Sequence, residues 1–199
     1  RVAMNQLSQL IIYRIADYMG LDRTSRRNLE LTCNLRDGQS AGTLLAVLDY
    51  TRTAMGKRKL RTWLEQPLLD AGSIEERLDA VEDFLLQREL REDVQQSLQK
   101  LRDIERIAGK IGAELVNPRE LLALKSSLEE IPRIKRLGVT TNSSLLSSLF
   151  HLNELSSVRE LIEMAIDEDA PTSLRDGGII KPGYNQRVDK LRQMSFEGE

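Results

Sequence analysis

Asn117-Pro118-Arg119-Glu120, with Leu121, Leu124, Leu128 and Ile131 behind it, is the feature that most narrows what this chain can fold into. Asparagine accepts from backbone N–H groups orphaned at a helix start, proline suits the first helical position, and a glutamate three residues on can reach back. The apolar residues then return every three or four positions, as one face of a helix requires. Pro132 is expected to end or kink that helix. Leu98, Leu101, Ile104, Ala108 and Ile111 repeat the spacing, and so do Leu145, Leu149, Leu152, Leu155, Val158, Ile162 and Ala165. Each set predicts a continuous helix, the second closed by Pro171.

Earlier, Leu44, Leu45, Val47 and Leu48 begin an apolar face that Gly56 interrupts before Leu60, Trp63 and Leu64, and Pro67 stops it. Ser73 and Glu76 form a capping-box pattern for a helix carrying Leu78, Val81 and Leu85 on one face. Asp22 or Thr24 can cap a short helix over residues 26–31, and Asp37-Gly38 supplies a turn. The runs at Leu10 to Tyr13 and Tyr18 to Leu21 read as short extended segments. Residues 140–148 read as a loop leading into a helix. Ile179-Ile180 is an extended pair between turns at Asp176-Gly177-Gly178 and Pro182-Gly183. A charged helix then starts near Tyr184, with Val188, Leu191 and Met194 in line. The fold class is mainly α: a multi-helical domain with short extended segments near the N-terminus and before the last helix.

Composition removes several function classes. Of the 199 residues, 40% are hydrophobic and the net charge is −2, so disorder is not expected and nothing global attracts DNA or anionic lipid. Cys33 is alone, which excludes a disulfide scaffold and fits a reducing compartment. No apolar run approaches the roughly 18 residues of a membrane span, and no signal peptide is legible. A start at Arg1 and a last helix still in progress lead us to expect a piece of something longer.

The inventory for catalysis is thin. His151 is the sole histidine, so no histidine metal cluster or charge-relay pair can be drawn within the chain. It reads as a structural side chain on a helix, and Cys33 as an inert packed thiol. Gly56-Lys57 fails as a phosphate loop, because Thr51 stands where the motif needs glycine and Arg58 where it needs Ser or Thr. Glu75, Glu76, Asp79, Glu82 and Asp83 read as a solvated helix face. No enzyme, cofactor or metal site is expected here.

A basic stretch stands out. Arg52, Lys57, Arg58, Lys59 and Arg61 occur with no acid among them, and Arg23, Arg26 and Arg27 form a smaller group upstream. Three readings fit: solvated or ion-paired helix surface, contact with DNA phosphates, and docking onto another domain. There is little aromatic interleaving for base stacking, and Trp63 sits at a spacing that suits the core.

The order of short motifs carries more. Leu21-Asp22 and Thr24-Ser25-Arg26-Arg27-Asn28-Leu29-Glu30-Leu31 lead to Leu35-Arg36-Asp37-Gly38 and Gly42-Thr43-Leu44-Leu45. Thr53-Ala54-Met55-Gly56, Trp63-Leu64, Gln66-Pro67-Leu68 and Arg77-Leu78-Asp79-Ala80-Val81 follow. Asp103-Ile104-Glu105-Arg106, Pro118-Arg119-Glu120-Leu121, Gly177-Gly178-Ile179-Ile180 and Gly183-Tyr184-Asn185 complete the series, with Asp189 and Leu191-Arg192. Nearly the whole chain, in this order, resembles the core domain of the MutS family of bacterial DNA mismatch-repair proteins.

The resemblance implies a helical core, or lever, domain that links mismatch-recognition and connector domains to clamp and ATPase domains. Residues 1–21 would be the connector end and junction, 22–180 the helical core, and 181–199 the start of the lever helix. ATP and Mg are implied for the parent protein only. So are mismatched duplex DNA, a homodimer and a MutL-like partner, in the bacterial cytoplasm and without a membrane. The resemblance carries no catalytic or base-reading residue onto any position here. The matching residues read as architectural: Gly38 and Gly56 relax the backbone, Trp63 and the leucines pack, and Asn28 and Asp49 cap or pin turns. Two rival readings are a stand-alone DNA-backbone-binding module and the core of the MutS paralogue that suppresses recombination.

Overall fold

The computed structural model describes residues 17–138 and 141–197; the extended run expected at Leu10 to Tyr13 lies outside them. The described chain is mainly α-helical: α1 (Arg23–Asn28), α2 (Leu44–Leu48), α3 (Ala54–Glu65), α4 (Ala71–Leu86) and α5 (Arg88–Lys100). Then come α6 (Ile104–Gly112), α7 (Pro118–Leu137), α8 (Ser144–Phe150), α9 (Ser156–Ala165) and α10 (Gln186–Glu197). The extended segments reduce to isolated antiparallel bridges, Tyr18 with Leu68 and Ile166 with Ile180. Two compact units result, Arg1–Gln99 with Lys135–His151 and Lys100–Ile134 with Leu152–Glu199.

In the first unit, short polar side chains start the helices. Asp22 Oδ1 accepts from Ser25 N at 2.6 Å, which moves α1 three residues earlier than expected. Thr43, fully buried, accepts from Ala46 N at 3.2 Å, and its hydroxyl donates to Ser40 O at 2.7 Å. Thr53 accepts from Gly56 N at 2.9 Å, so Gly56 lies in the first turn of α3 and interrupts nothing. The helical signal breaks at 49–53 instead. There Asp49 Oδ1 accepts from Thr51 Oγ1 at 2.5 Å and Thr51 N at 3.3 Å, local bonds that compete with the helical ladder.

Asp70, not Ser73, caps α4: its carboxylate accepts from Ser73 N and Ser73 Oγ, both at 2.8 Å. A carboxylate also suits the positive end of the helix. The face of α4 that packs carries Ala80 and Asp83, while Leu78, Val81 and Leu85 are exposed. Asp83 is buried because it collects donors from the segment before α8. Thr141 Oγ1 donates to it at 2.6 Å, and Asn142 N and Ser143 N each at 2.8 Å. Its neighbours Glu75, Glu76, Asp79 and Glu82 form the solvated face expected of them.

The second unit holds the continuous apolar core. Ile107 of α6, Leu124, Leu128 and Ile131 of α7, and Ile162 and Ala165 of α9 pack with Ile166 and Ala170. The expected box at the start of α7 is present: Asn117 Oδ1 accepts from Glu120 N at 2.9 Å, and Glu120 Oε2 accepts from Asn117 N at 3.1 Å. Lys110 pairs with the same glutamate, and this pairing first, the box second, holds Glu120 below the usual carboxylate range. Pro132 does not end α7, which runs on to Leu137.

Both long helices expected on either side of α7 are split. Asp103 accepts from Arg106 N at 3.1 Å and starts α6 afresh after Lys100. The buried residue there is Ile107, while Ala108 and Ile111 are exposed. Leu155, in the left-handed region at φ 47°, separates α8 from α9. The buried residues of α8 are Leu146 and Phe150, one position away from the expected Leu145 and Leu149.

Candidate functional site

The basic stretch does not act as one block. Lys57 Nζ lies 2.8 Å from Asp49 Oδ2, and this bond, with that from Thr51, lowers the pKa of the Asp49 carboxyl. Lys57 is therefore a pin between α3 and the turn before it. Arg61 Nε pairs with Glu65 one turn on, at 2.9 Å. Arg52, Lys59 and Arg58 are exposed, and the first two make no ion pair among the described residues. Trp63 is exposed rather than in the core, with the Arg77 guanidinium 4.0 Å from its ring centre.

Folding joins Arg61 to the upstream group. Arg23, Arg26 and Arg27 of α1 line, with Arg61 of α3, an open groove of about 840 Å³. Arg26 Nε donates to Leu21 O at 3.0 Å, which holds that side chain in place. Arg23 and Arg27 make no ion pair among the described residues, and no carboxylate lines the groove. Arg23, Arg26 and Arg27 thus gather with no ion-pair partner among the described residues, while Arg61 keeps its pair with Glu65.

Thr32, Cys33, Asn34, Leu35 and Gly38 add a loop to the lining, and that loop is organised by Asn34, a residue the sequence reading passed over. Asn34 Oδ1 accepts from Asp37 N at 2.9 Å and Gly38 N at 3.1 Å, while its amide donates to Ala41 O at 3.0 Å. Gly38, at φ 73°, supplies the left-handed turn that this closure needs. Asn-x-x-Asp-Gly was the available signal. Among the described residues Asn28 caps nothing; it lines the groove, as does Cys33, which is exposed rather than packed.

A second feature lies in the other unit, at the base of α10. Asn185 Oδ1 caps the helix, accepting from Arg187 N at 2.9 Å. Asp189 Oδ2 accepts from Gly183 N at 2.9 Å, and Arg192 donates to Ile180 O at 2.8 Å. Ile180 is bridged to Ile166, with Asp167 N donating to Ile179 O at 2.8 Å and Lys181 N to Ala165 O at 2.9 Å. The helix is thus tied by hydrogen bonds to the end of α9, whose residues Ile162 and Ala165 belong to the core.

Among the described residues, no group of His, Cys, Asp and Glu could hold a metal ion, and no helix is long and apolar enough to cross a membrane. His151 ends α8 exposed, with Nδ1 2.6 Å from Ser147 O.

The chain is similar over its whole length to curated relatives. It is 44% identical to the DNA mismatch repair protein MutS of Syntrophomonas wolfei over 198 residues, 100% of this chain and 23% of that protein. It is 46% identical over 198 residues to the protein of that name from Pelotomaculum thermopropionicum, covering 98% of this chain and 23% of the relative. The match in Clostridium beijerinckii is 44% identical over 200 residues, 100% of this chain and 22% of the relative. The chain therefore spans less than a quarter of the length of these relatives. The family model for MutS domain III matches residues 24–196, and the chain belongs to that family: it is the core domain of a MutS mismatch-repair protein.

Proposed function

We propose that this domain is the lever of a DNA mismatch-repair ATPase, a non-catalytic body that carries conformational change between parts that read DNA and parts that bind ATP. The observation that carries the reading is the mounting of α10. A helix bonded through Arg192 and Asp189 to Ile180 and Gly183, and through that segment to the α9 end of a packed core, turns with the core instead of about a loose hinge. Packed cores shift between discrete arrangements rather than deforming smoothly, so a rotation applied to one side reaches the other. In this reading the ATP, Mg and mismatched duplex are handled by other domains of the longer protein. That protein would be a cytoplasmic homodimer working with a MutL-like partner. The test is a Gly-Gly insertion after Val188 in the full-length protein. Mismatch-stimulated ATP turnover should fall toward the level seen with matched duplex, whereas unchanged stimulation would refute the lever.

A further inference from the structure

We propose that the arginine groove between α1 and α3, with the apolar side of α2 beside it, docks an acidic, apolar-flanked segment from another domain of the same polypeptide. Three observations lead there. Four guanidiniums, those of Arg23, Arg26, Arg27 and Arg61, share a concave surface that no carboxylate lines, and of the four only Arg61 has an ion-pair partner, Glu65, among the described residues. Every charged side chain that lines the groove is an arginine. Guanidinium forks make planar paired bonds with carboxylates and are enriched at protein interfaces, where lysine is depleted. The third observation separates a protein occupant from nucleic acid. Leu35, which lines the groove, is 50% exposed, and Val47 and Tyr50 are 64% and 82% exposed.

The backbone ties α2, which carries Val47, to the residues that lead from α1 into the groove's loop. Leu44 N donates to Glu30 O at 3.1 Å and Leu45 N to Leu31 O at 2.9 Å, which seats α2 against the residues that follow α1. A phosphate backbone would neutralise the arginines and leave this apolar surface wet. A protein segment carrying carboxylates between apolar side chains would satisfy both. The relatives offer ample chain for it, since more than three quarters of their length lies outside the match. The proposal rests on the reading that this domain works inside a longer protein, but not on its acting as a lever.

Hydroxyl-radical footprinting of the full-length protein tests it, with oxidation of Leu35, Val47 and Tyr50 read by mass spectrometry, with and without duplex DNA. The expected result is slow oxidation of all three without DNA. R23E/R27E should then accelerate it at least five-fold, and R23Q/R27Q less, while Leu149 on α8 keeps its rate. Should the charge-reversed variant misfold, the glutamine variant decides. Rapid oxidation in the unmodified protein would overturn the proposal. Protection that arises only with duplex would assign the surface to nucleic acid and overturn it equally. Protection unchanged in both variants would refute the acidic pairing. None of these outcomes reads ATP turnover, so the lever reading stands or falls separately.

Discussion

Asp83 Oδ2 accepts the backbone N–H of Ser143 at 2.8 Å, joining α4 to the cap of α8 across 60 residues of sequence. The same oxygen takes Thr141 Oγ1 and Asn142 N, and Gln87 Nε2 donates to the other at 3.4 Å. One carboxylate thereby satisfies three successive donors, of which the Ser143 amide is buried and would be costly to leave unpaired.

The Thr141 hydroxyl first, and the Ser143 amide next, hold Asp83 below the usual carboxylate range. A depressed folded pKa gives stability that is complete above the unfolded value of about 3.9 and is lost as pH falls through the lower folded value. Asp83→Asn and Asp83→Ala should each melt several degrees lower than the parent at pH 7. The gap should close as the pH drops below about 4. Thermal melts from pH 7 to pH 2 read this directly, and equal melting temperatures at pH 7 would contradict it.

Ser97 and Ser127 are both fully buried, yet opposite outcomes are expected for them. Ser127 Oγ accepts from Arg102 N at 2.9 Å and donates to Ala123 O at 2.8 Å. Ser127→Ala strands a backbone donor and should cost about 1–3 kcal/mol. Ser97 Oγ has no hydrogen-bond partner among the described residues, so Ser97→Ala should be neutral or stabilising by up to about 1 kcal/mol. Urea unfolding of the two variants checks the contrast.

Gly138 follows α7, where a glycine usually serves a left-handed cap. Here it serves space. A Cβ at that position would stand 2.3 Å from Phe150 Cβ, and Phe150 is buried. Gly138→Ala should destabilise by about 1–3 kcal/mol through overpacking. The double variant with Phe150→Leu should recover part of that loss in the same unfolding assay.

Asn117→Ala removes the acceptor for Glu120 N at the start of α7 and should cost about 1 kcal/mol. Asn117→Asp, which keeps the acceptor at the positive helix end, should cost less. Unfolding midpoints of the pair measure the difference.

Local rules were legible where they act within one turn. The Asn117–Glu120 box, the face of α7 and the turn at Gly38 follow from residues close in sequence. The phase of a helix was legible only where its start was. Reading α8 and α9 as continuous carried one phase through the Leu155 break and misplaced the buried residues of α8 by one position. The buried Asp83 looked like its solvated neighbours because its donors lie near Thr141, beyond any local pattern. Likewise, the arginine groove needs α1 and α3 brought together, and sequence order alone left two separate basic groups. The ion pair from Lys57 to Asp49 was hidden for the opposite reason, since the stretch was counted only from Arg52 onward.

The lever claim turns on the stiffness of α10, and the most direct measurement weakens that helix without changing its length or register. Lys190 and Gln193 are exposed, so changing both to glycine removes roughly 1 to 1.5 kcal/mol of helix propensity and little packing. In the full-length protein, ATP turnover should be compared with mismatched and matched duplex. With α10 as a stiff lever, Lys190→Gly with Gln193→Gly lowers the mismatched-to-matched ratio several-fold while turnover without DNA stays the same. An unaltered ratio would contradict it.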